Sequence, residues 1–299
     1  RPARATRSSA AASGVTFRTA LIQMRTGRDM ARNVADANDL IHRAKAQGAV
    51  FVTTPEMTNI LEPDRPRLRG LAKTEAEDDS VAAFAALAGD LGIWLNVGSL
   101  ALKGPGDKLI NRSLLFSPDG RIAARYDKIH LFDVDLPTGE TLRESHAYQG
   151  GSEAMLAATP FGMLGMTICY DLRFPHLYRS LAKSGASFFT IPSAFTVPTG
   201  DAHWHVLLRA RAIETGAYVL AAAQGGRHES GRETYGHSLA ISPWGEVLAE
   251  GGIDPEVLMV DMDMEQVTAA RRRIPALAHD RPFTLESLNP GPTIATSDP

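Results

Sequence analysis

Apolar and polar positions along this chain alternate with two different spacings, and between residues 17 and 264 the pattern switches repeatedly from the strand period of about two to the helix period of about 3.6. Residues 17–23 predict a strand and 33–47 a helix, with Val34, Ala37, Leu40, Ile41 and Ala44 on one face and Gly48 as its stop. Residues 49–53 form a short apolar run, the mark of a strand covered on both faces, and it delivers Pro55 and Glu56 at its C-terminal end. A helix over 80–91 precedes a strand over 93–98. Residues 111–116 and 121–126 flank Ser117-Pro118-Asp119-Gly120, where Pro presets φ and Gly accepts positive φ, so this stretch predicts a hairpin. Ser242-Pro243-Trp244-Gly245 repeats the device between strands over 238–241 and 246–249. Between the hairpins the pattern predicts a strand over 163–168 that ends at Cys169, a helix over 174–183, a strand over 187–191, a helix over 202–215 and a strand over 218–223.

Two hairpins set among helix-strand units imply an α/β protein with mixed rather than purely parallel sheets. No linker, internal repeat or low-complexity break interrupts the pattern, so residues 15–264 are expected to form one domain. Residues 1–14 read as a disordered tail, and residues 265–299 as a C-terminal extension that packs at an oligomer interface.

Composition narrows the function. Lys plus Arg number 31 against 34 Asp plus Glu, a balance that argues against nucleic acid as the partner, because phosphate binding needs a concentrated basic surface. Short basic runs such as Arg271 to Arg273 read as solvated faces. Only one cysteine is present, which rules out an intramolecular disulfide and a cysteine-rich metal site and fits a reducing compartment. No apolar stretch reaches the roughly 20 residues that span a bilayer, since Asp90 interrupts residues 81–102, and no membrane partner is expected. A cytoplasmic protein is the expectation. Residues 1–14 are rich in Arg, Ala and Ser and free of acids, as transit peptides are, so a mitochondrial address is the alternative if that segment is a targeting signal rather than a tail.

Glu56 and Cys169 each follow a predicted strand, the place where binding sites collect in sheets with parallel strands. A thiol is a strong nucleophile only as the thiolate and needs a base, which a carboxylate supplies, while an ammonium such as that of Lys128 stabilises charge developing on a substrate oxygen. Spacing alone does not bring these groups together.

Three segments do resemble the signature blocks of a known family, the nitrilase (carbon-nitrogen hydrolase) superfamily: Phe51-Val52-Thr53-Thr54-Pro55-Glu56, Tyr126-Asp127-Lys128-Ile129-His130-Leu131-Phe132-Asp133 and Cys169-Tyr170-Asp171-Leu172-Arg173-Phe174-Pro175. They occur in the family's order, and the resemblance covers residues 17–273. Within the superfamily, Pro192-Ser193-Ala194-Phe195, Ala202-His203-Trp204, Arg209-Ala210-Arg211-Ala212-Ile213-Glu214, Ala221-Ala222-Ala223-Gln224 and Tyr235-Gly236-His237-Ser238 resemble the Nit1-like branch, the deaminated glutathione amidases. The resemblance implies a four-layer αββα sandwich that dimerises through helices, and a hydrolase of linear amides that needs neither metal nor organic cofactor. It implies Cys169 as nucleophile, Glu56 as general base and acid, Lys128 as oxyanion stabiliser with the backbone N–H of Tyr170 as second donor, and Glu144 as the residue that orients Lys128. Glu140 is a rival for that last position. The reaction implied releases an acid and ammonia through a thioester, with deaminated glutathione as substrate. An ω-amidase on short keto-acid amides is the alternative, nitrile hydrolysis a third, and a catalytically silent partner-binding scaffold the reading from outside the enzyme class.

Other residues have a bland reading beside a functional one. Asp171 and Arg173 suit a structural ion pair or helix-start contact, with Arg173 as a candidate for a substrate carboxylate. Phe195, Thr196 and Trp204 either line the pocket or pack. His203 and His205 face opposite sides of a helix, which suits structural roles rather than a shared metal.

Overall fold

The computed structural model describes residues 14–136, 139 and 141–286, so Glu140 and the segments 1–13 and 287–299 lie outside the described residues. In chain order, β1 (Thr16–Gln23) leads to α1 (Met30–Ala46), β2 (Phe51–Thr53), α2 (Arg65–Leu71), α3 (Asp79–Leu91), β3 (Trp94–Lys103), β4 (Leu109–Phe116) and β5 (Ile122–Asp127). A ribbon of β6 (Asp133–Asp135) and β7 (Thr141–Arg143) precedes β8 (Met155–Thr159), β9 (Gly162–Met166), α4 (Pro175–Lys183), β10 (Ala186–Thr190), α5 (Val197–Thr215) and β11 (Tyr218–Ala221). A second ribbon, β12 (Gly225–Arg227) and β13 (Glu233–Tyr235), is followed by β14 (Leu239–Ile241), β15 (Val247–Glu250), β16 (Glu256–Asp263) and α6 (Glu265–Arg273).

The strands form two six-stranded sheets, ordered β16-β1-β2-β3-β4-β5 and β15-β14-β11-β10-β9-β8. Each has a parallel centre, β1-β2-β3 in one and β9-β10-β11 in the other, flanked by antiparallel strands. Both sheets are therefore mixed, as the hairpins require. Their inner faces meet through aromatic rings: Phe17 and Phe51 of the first sheet stand edge-on to Phe188 of the second, with centroids 6.2 and 5.5 Å apart. The outer face of the first sheet, with Ala20, Ile22 and Val52, packs on Ala37, Leu40 and Ile41 of α1 and Phe84 and Leu87 of α3. On the second, Phe189 meets Tyr178 of α4 at 5.3 Å, and Trp204 and Leu208 of α5 join the same core. The result is the four-layer αββα sandwich, and each fully buried Phe or Leu contributes about 1.5–3 kcal/mol of transfer free energy to it.

Local chemistry sets the element ends. Helix α1 begins at Met30, earlier than periodicity suggests, because the Asp29 side chain accepts the Arg32 N–H at 3.1 Å and caps it. Asp78 caps α3 in the same way, and Gly92 closes that helix at φ 59°. Residues 265–273 form a helix whose Val267 and Ala270 are buried against the domain. Arg271 is a correction to the reading of its run as a solvated face. Its guanidinium donates to Thr215 O at 3.1 Å and Ala186 O at 2.5 Å, docking α6 beside the end of α5, and burial lowers its pKa.

One glycine positions the site. A Cβ on Gly98 of β3 would collide with the Thr54 carbonyl oxygen and the Pro192 ring, so only a bare backbone lets β3 lie against the segment that leads to Glu56 and against Pro192, whose carbonyl accepts the Cys169 N–H. The register of β3 on β4 shifts at the same place, between Val97 and Leu100.

Candidate active site

Glu56 enters the site from the end of β2. The Thr54 hydroxyl accepts the Gly98 N–H at 3.0 Å, and beyond Glu56 the chain turns through Met57 at φ 57°, whose N–H donates to Ser99 Oγ at 3.0 Å. The buried Gln224 amide donates to the Glu56 carbonyl at 2.9 Å, so backbone bonds as well as packing fix this carboxyl.

Lys128 follows β5, with its N–H on Asn111 O at 2.9 Å and its carbonyl taking the Gly151 N–H at 2.9 Å. Its ammonium is 2% exposed and donates to Glu56 Oε1 at 2.9 Å and to Glu144 Oε2 at 2.8 Å. Glu144 sits on a short 3-10 turn after β7, where its carboxyl also accepts the Phe132 N–H at 2.7 Å.

Cys169 follows β9 on a second 3-10 turn and holds φ 47°, a left-handed conformation that a non-glycine residue adopts at a cost of about 1–3 kcal/mol. Its N–H donates to Pro192 O at 2.9 Å. Buried Asp171 supports the turn and ties it to the lysine strand: its carboxylate accepts the Ile168 N–H at 2.8 Å, the Tyr126 hydroxyl at 2.7 Å, and the N–H and Nδ1 of His130 at 3.1 and 2.7 Å. Tyr126 and His130 bracket Lys128 in sequence, so one carboxylate sets the approach of the lysine and cysteine segments.

Glu56, Lys128, Glu144 and Cys169 converge. The Cys169 thiol lies beside the Glu56 carboxylate in one cavity, close enough for the charges of Glu56 and Lys128 both to act on it, with the Ala194 backbone next to the sulfur. Burial raises the thiol pKa, the negative charge of Glu56 raises it further, and Lys128 and the Ala194 N–H offset only part of this. Burial would also raise Glu56, but the Lys128 ammonium, its hydrogen bond and that from Asn111, with the neutral thiol alongside, outweigh it and hold its pKa below the ordinary 4.5. Burial opposes the charge on Lys128, yet Glu144 and Glu56 raise its pKa well above 10.5. The resting cluster is thus a neutral thiol beside an ionised Glu56 and a charged Lys128, which is a nucleophile with its base already deprotonated.

These groups line a cavity of about 200 Å³, apolar over much of its wall through Ile60, Leu61, Leu68, Leu142 and Tyr148. Tyr170 and Phe195 line it as well. Arg173 and Thr196 do not. The Arg173 guanidinium lies over the Phe195 ring, 5.6 Å from its centroid, with His203 Nδ1 at 3.2 Å, and the Thr196 hydroxyl bonds to that of Thr199 at 2.8 Å. Asp171 makes the helix-start contact rather than an ion pair with Arg173. Trp204 packs, donating Nε1–H to His237 O at 2.7 Å, and His205 pairs with Glu250 at 2.8 Å. Among the described residues no group of three or more His, Cys, Asp and Glu side chains is placed to hold a metal ion, and no helix is long and apolar enough to cross a membrane.

Sequence reasoning overlooked Asn111, whose side-chain amide donates to Glu56 Oε1 at 2.9 Å and Glu144 Oε1 at 3.3 Å. A signal was present: an asparagine that follows Leu109 and Ile110 in a strand runs against β-propensity and demands a partner. Nothing in the local sequence marks Ala194, which contributes only its backbone.

Residues 18–272 match the family model described as carbon-nitrogen hydrolase. The chain belongs to the carbon-nitrogen hydrolase family. It is 38% identical to the deaminated glutathione amidase of Yersinia enterocolitica over 88% of this chain and 92% of that protein. In structure, this hydrolase superposes on the Caenorhabditis elegans NitFhit protein with a TM-score of 0.85 at 37% identity, covering 90% of this chain and 66% of that one. The amidase of Nesterenkonia sp. AN1, seen with acrylamide added at its active-site cysteine, gives a TM-score of 0.71 at 27% identity over 87% of this chain and 98% of that one. The chain is accordingly a hydrolase of carbon–nitrogen bonds in non-peptide amides.

Proposed function

We propose that this hydrolase cleaves its amide through a thioester on Cys169, and that the amide is deaminated glutathione. The convergence of the Cys169 thiol with Glu56, whose carboxylate holds the Lys128 ammonium at 2.9 Å, inside one cavity carries the reading. The cysteine adduct in the Nesterenkonia amidase and the name of the Yersinia relative support it.

Because the resting thiol is neutral, attack and proton transfer go together: Glu56 takes the thiol proton as the sulfur bonds to the amide carbon. The oxygen of that carbon becomes an anion, stabilised by the Lys128 ammonium and the Tyr170 N–H. When the C–N bond breaks, the proton on Glu56 passes to the departing nitrogen. For a primary amide the leaving group is ammonia, whereas for deaminated glutathione it is the cysteinylglycine amine. Glu56, again a carboxylate, takes a proton from water as the oxygen attacks the thioester. The C–S bond then breaks, the sulfur recovers the proton, and the carboxylic acid leaves. Glu144, which accepts a hydrogen bond from the Lys128 ammonium at 2.8 Å, keeps it charged throughout.

Parallel kcat/KM measurements with deaminated glutathione and α-ketoglutaramate test the substrate. A preference for the former is expected, and a preference for the latter makes the chain an ω-amidase.

The second copy that completes the assembly is proposed to sit on α5. Val206 and Ile213, 69% and 54% exposed, stand two turns apart on one face of that helix. Sedimentation should give a dimer or larger species that Val206→Glu with Ile213→Glu dissociates.

A further inference from the structure

Resting on the amidase reading above, we propose that Arg65 and Arg232 form a carboxylate clamp, so that the site selects small amides carrying an anionic group on both sides of the scissile bond. Both side chains line the cavity that holds Cys169. Each is fixed by a bond to a backbone carbonyl next to the reacting groups. Arg65 donates to Arg143 O at 2.9 Å, the carbonyl immediately before Glu144, and Arg232 donates to Ala194 O at 2.9 Å, a residue that lines the cavity with Cys169.

What distinguishes these two from the other arginines nearby is their charge balance. Arg143, also in the cavity wall, is spent on the Val134 and Leu142 carbonyls and on Asp135 at 2.8 Å. Glu62 is already matched by Arg28 at 2.7 Å and Arg67 at 3.1 Å. Among the described residues, neither Arg65 nor Arg232 lies within 4.0 Å of a carboxylate, and a bond to a neutral carbonyl leaves the full positive charge in place. A guanidinium presents five donors in a planar fork that matches a carboxylate, and one donor is used here. With Glu56 and Glu144 matched by Lys128 and Glu62 by Arg28 and Arg67, two cations without a carboxylate partner among the described residues attract anions into the cavity and disfavour neutral amides. Deaminated glutathione has a keto-acid carboxylate on its acyl side and a glycine carboxylate on its leaving side, one for each arm.

The single cysteine of the chain gives a readout that does not depend on knowing the substrate. Alkylation of Cys169 by anionic iodoacetate and by neutral iodoacetamide is timed by intact mass in the wild-type protein, in Arg65→Met and in Arg232→Met. The ratio of the two rate constants cancels changes in thiol nucleophilicity. The clamp predicts that this ratio falls about threefold or more in each variant, and that the 2-oxoglutarate concentration giving half-protection rises about tenfold. In steady state, KM for deaminated glutathione rises more than kcat falls. A ratio that stays at the wild-type value in either variant removes that arginine from the clamp. A fall in both rates together shows a structural role instead. If the ratio falls as expected while the wild-type protein leaves deaminated glutathione intact, the clamp stands and the substrate reading fails.

Discussion

Asp171 holds His130 twice: the same carboxylate oxygen accepts the backbone N–H at 3.1 Å and ring Nδ1 at 2.7 Å. Its other oxygen accepts Tyr126 and Ile168, so the segments carrying Lys128 and Cys169 share one buried anchor. In Asp171→Asn, the amide group replaces one of these oxygens and leaves a buried N–H facing a donor. Stability should fall by about 1–3 kcal/mol. Because the reacting groups shift relative to one another, kcat should fall far more than KM rises. Denaturant titration and steady-state kinetics measure both; a kcat at the wild-type value would show that the anchor serves folding alone.

Lys128→Met removes the ammonium that links buried Glu56 to part-buried Glu144. Breaking a buried pair from one side typically destabilises by about 3–5 kcal/mol, and losing one oxyanion donor lowers kcat about 10²- to 10³-fold. Without Lys128, Glu56 rises toward neutrality because burial is then less opposed. A variant with wild-type kcat would remove Lys128 from the chemistry.

Gly98→Ala places a methyl group against the Thr54 carbonyl and Pro192. The overlap should destabilise by about 1–3 kcal/mol and, by displacing Glu56 from Cys169, lower kcat/KM about 10²-fold. Thermal unfolding and kinetics of the same sample check it, and unchanged values in both would refute the close approach.

The pH profile follows from the three shifted groups. Glu56 is lowered, so its base form and its contribution to stability are fully present above the unfolded value near 4.5 and are lost as pH falls through the lower folded value. Lys128 is raised, so the ammonium persists past 10.5. The thiol is raised and reacts as the neutral form. Between these limits kcat/KM should be flat, with an acid limb below 4.5. A limb near a pKa of about 8.5 would mean that the thiol ionises independently of Glu56.

Much of the fold was legible because its central strands are continuous apolar runs and α1 and α3 show clear one-sided periodicity. Helix α2 was missed since only Leu68 of its seven residues is buried, leaving no periodic signal. The ribbons β6/β7 and β12/β13 are three-residue polar pairs, too short for alternation to register. At the site, Glu56, Lys128 and Cys169 were readable through their flanking residues, and Glu144 through its match to a fourth position. Arg65 and Arg232 were not, because each looks like an ordinary surface arginine until α2 and the β12–β13 turn bring it to the cavity. Arg173 looked better placed in sequence, four residues beyond the cysteine, but the ring of Phe195 holds it aside.

The most direct test of a covalent path through Cys169 is intact-mass spectrometry of protein quenched in acid during turnover of deaminated glutathione. The predicted result is a population heavier by the 2-oxoglutaryl group, located on the peptide that contains Cys169 and absent from Cys169→Ala, which has no turnover. Wild-type rates in Cys169→Ala, with no adduct on the chain at any time, would contradict it.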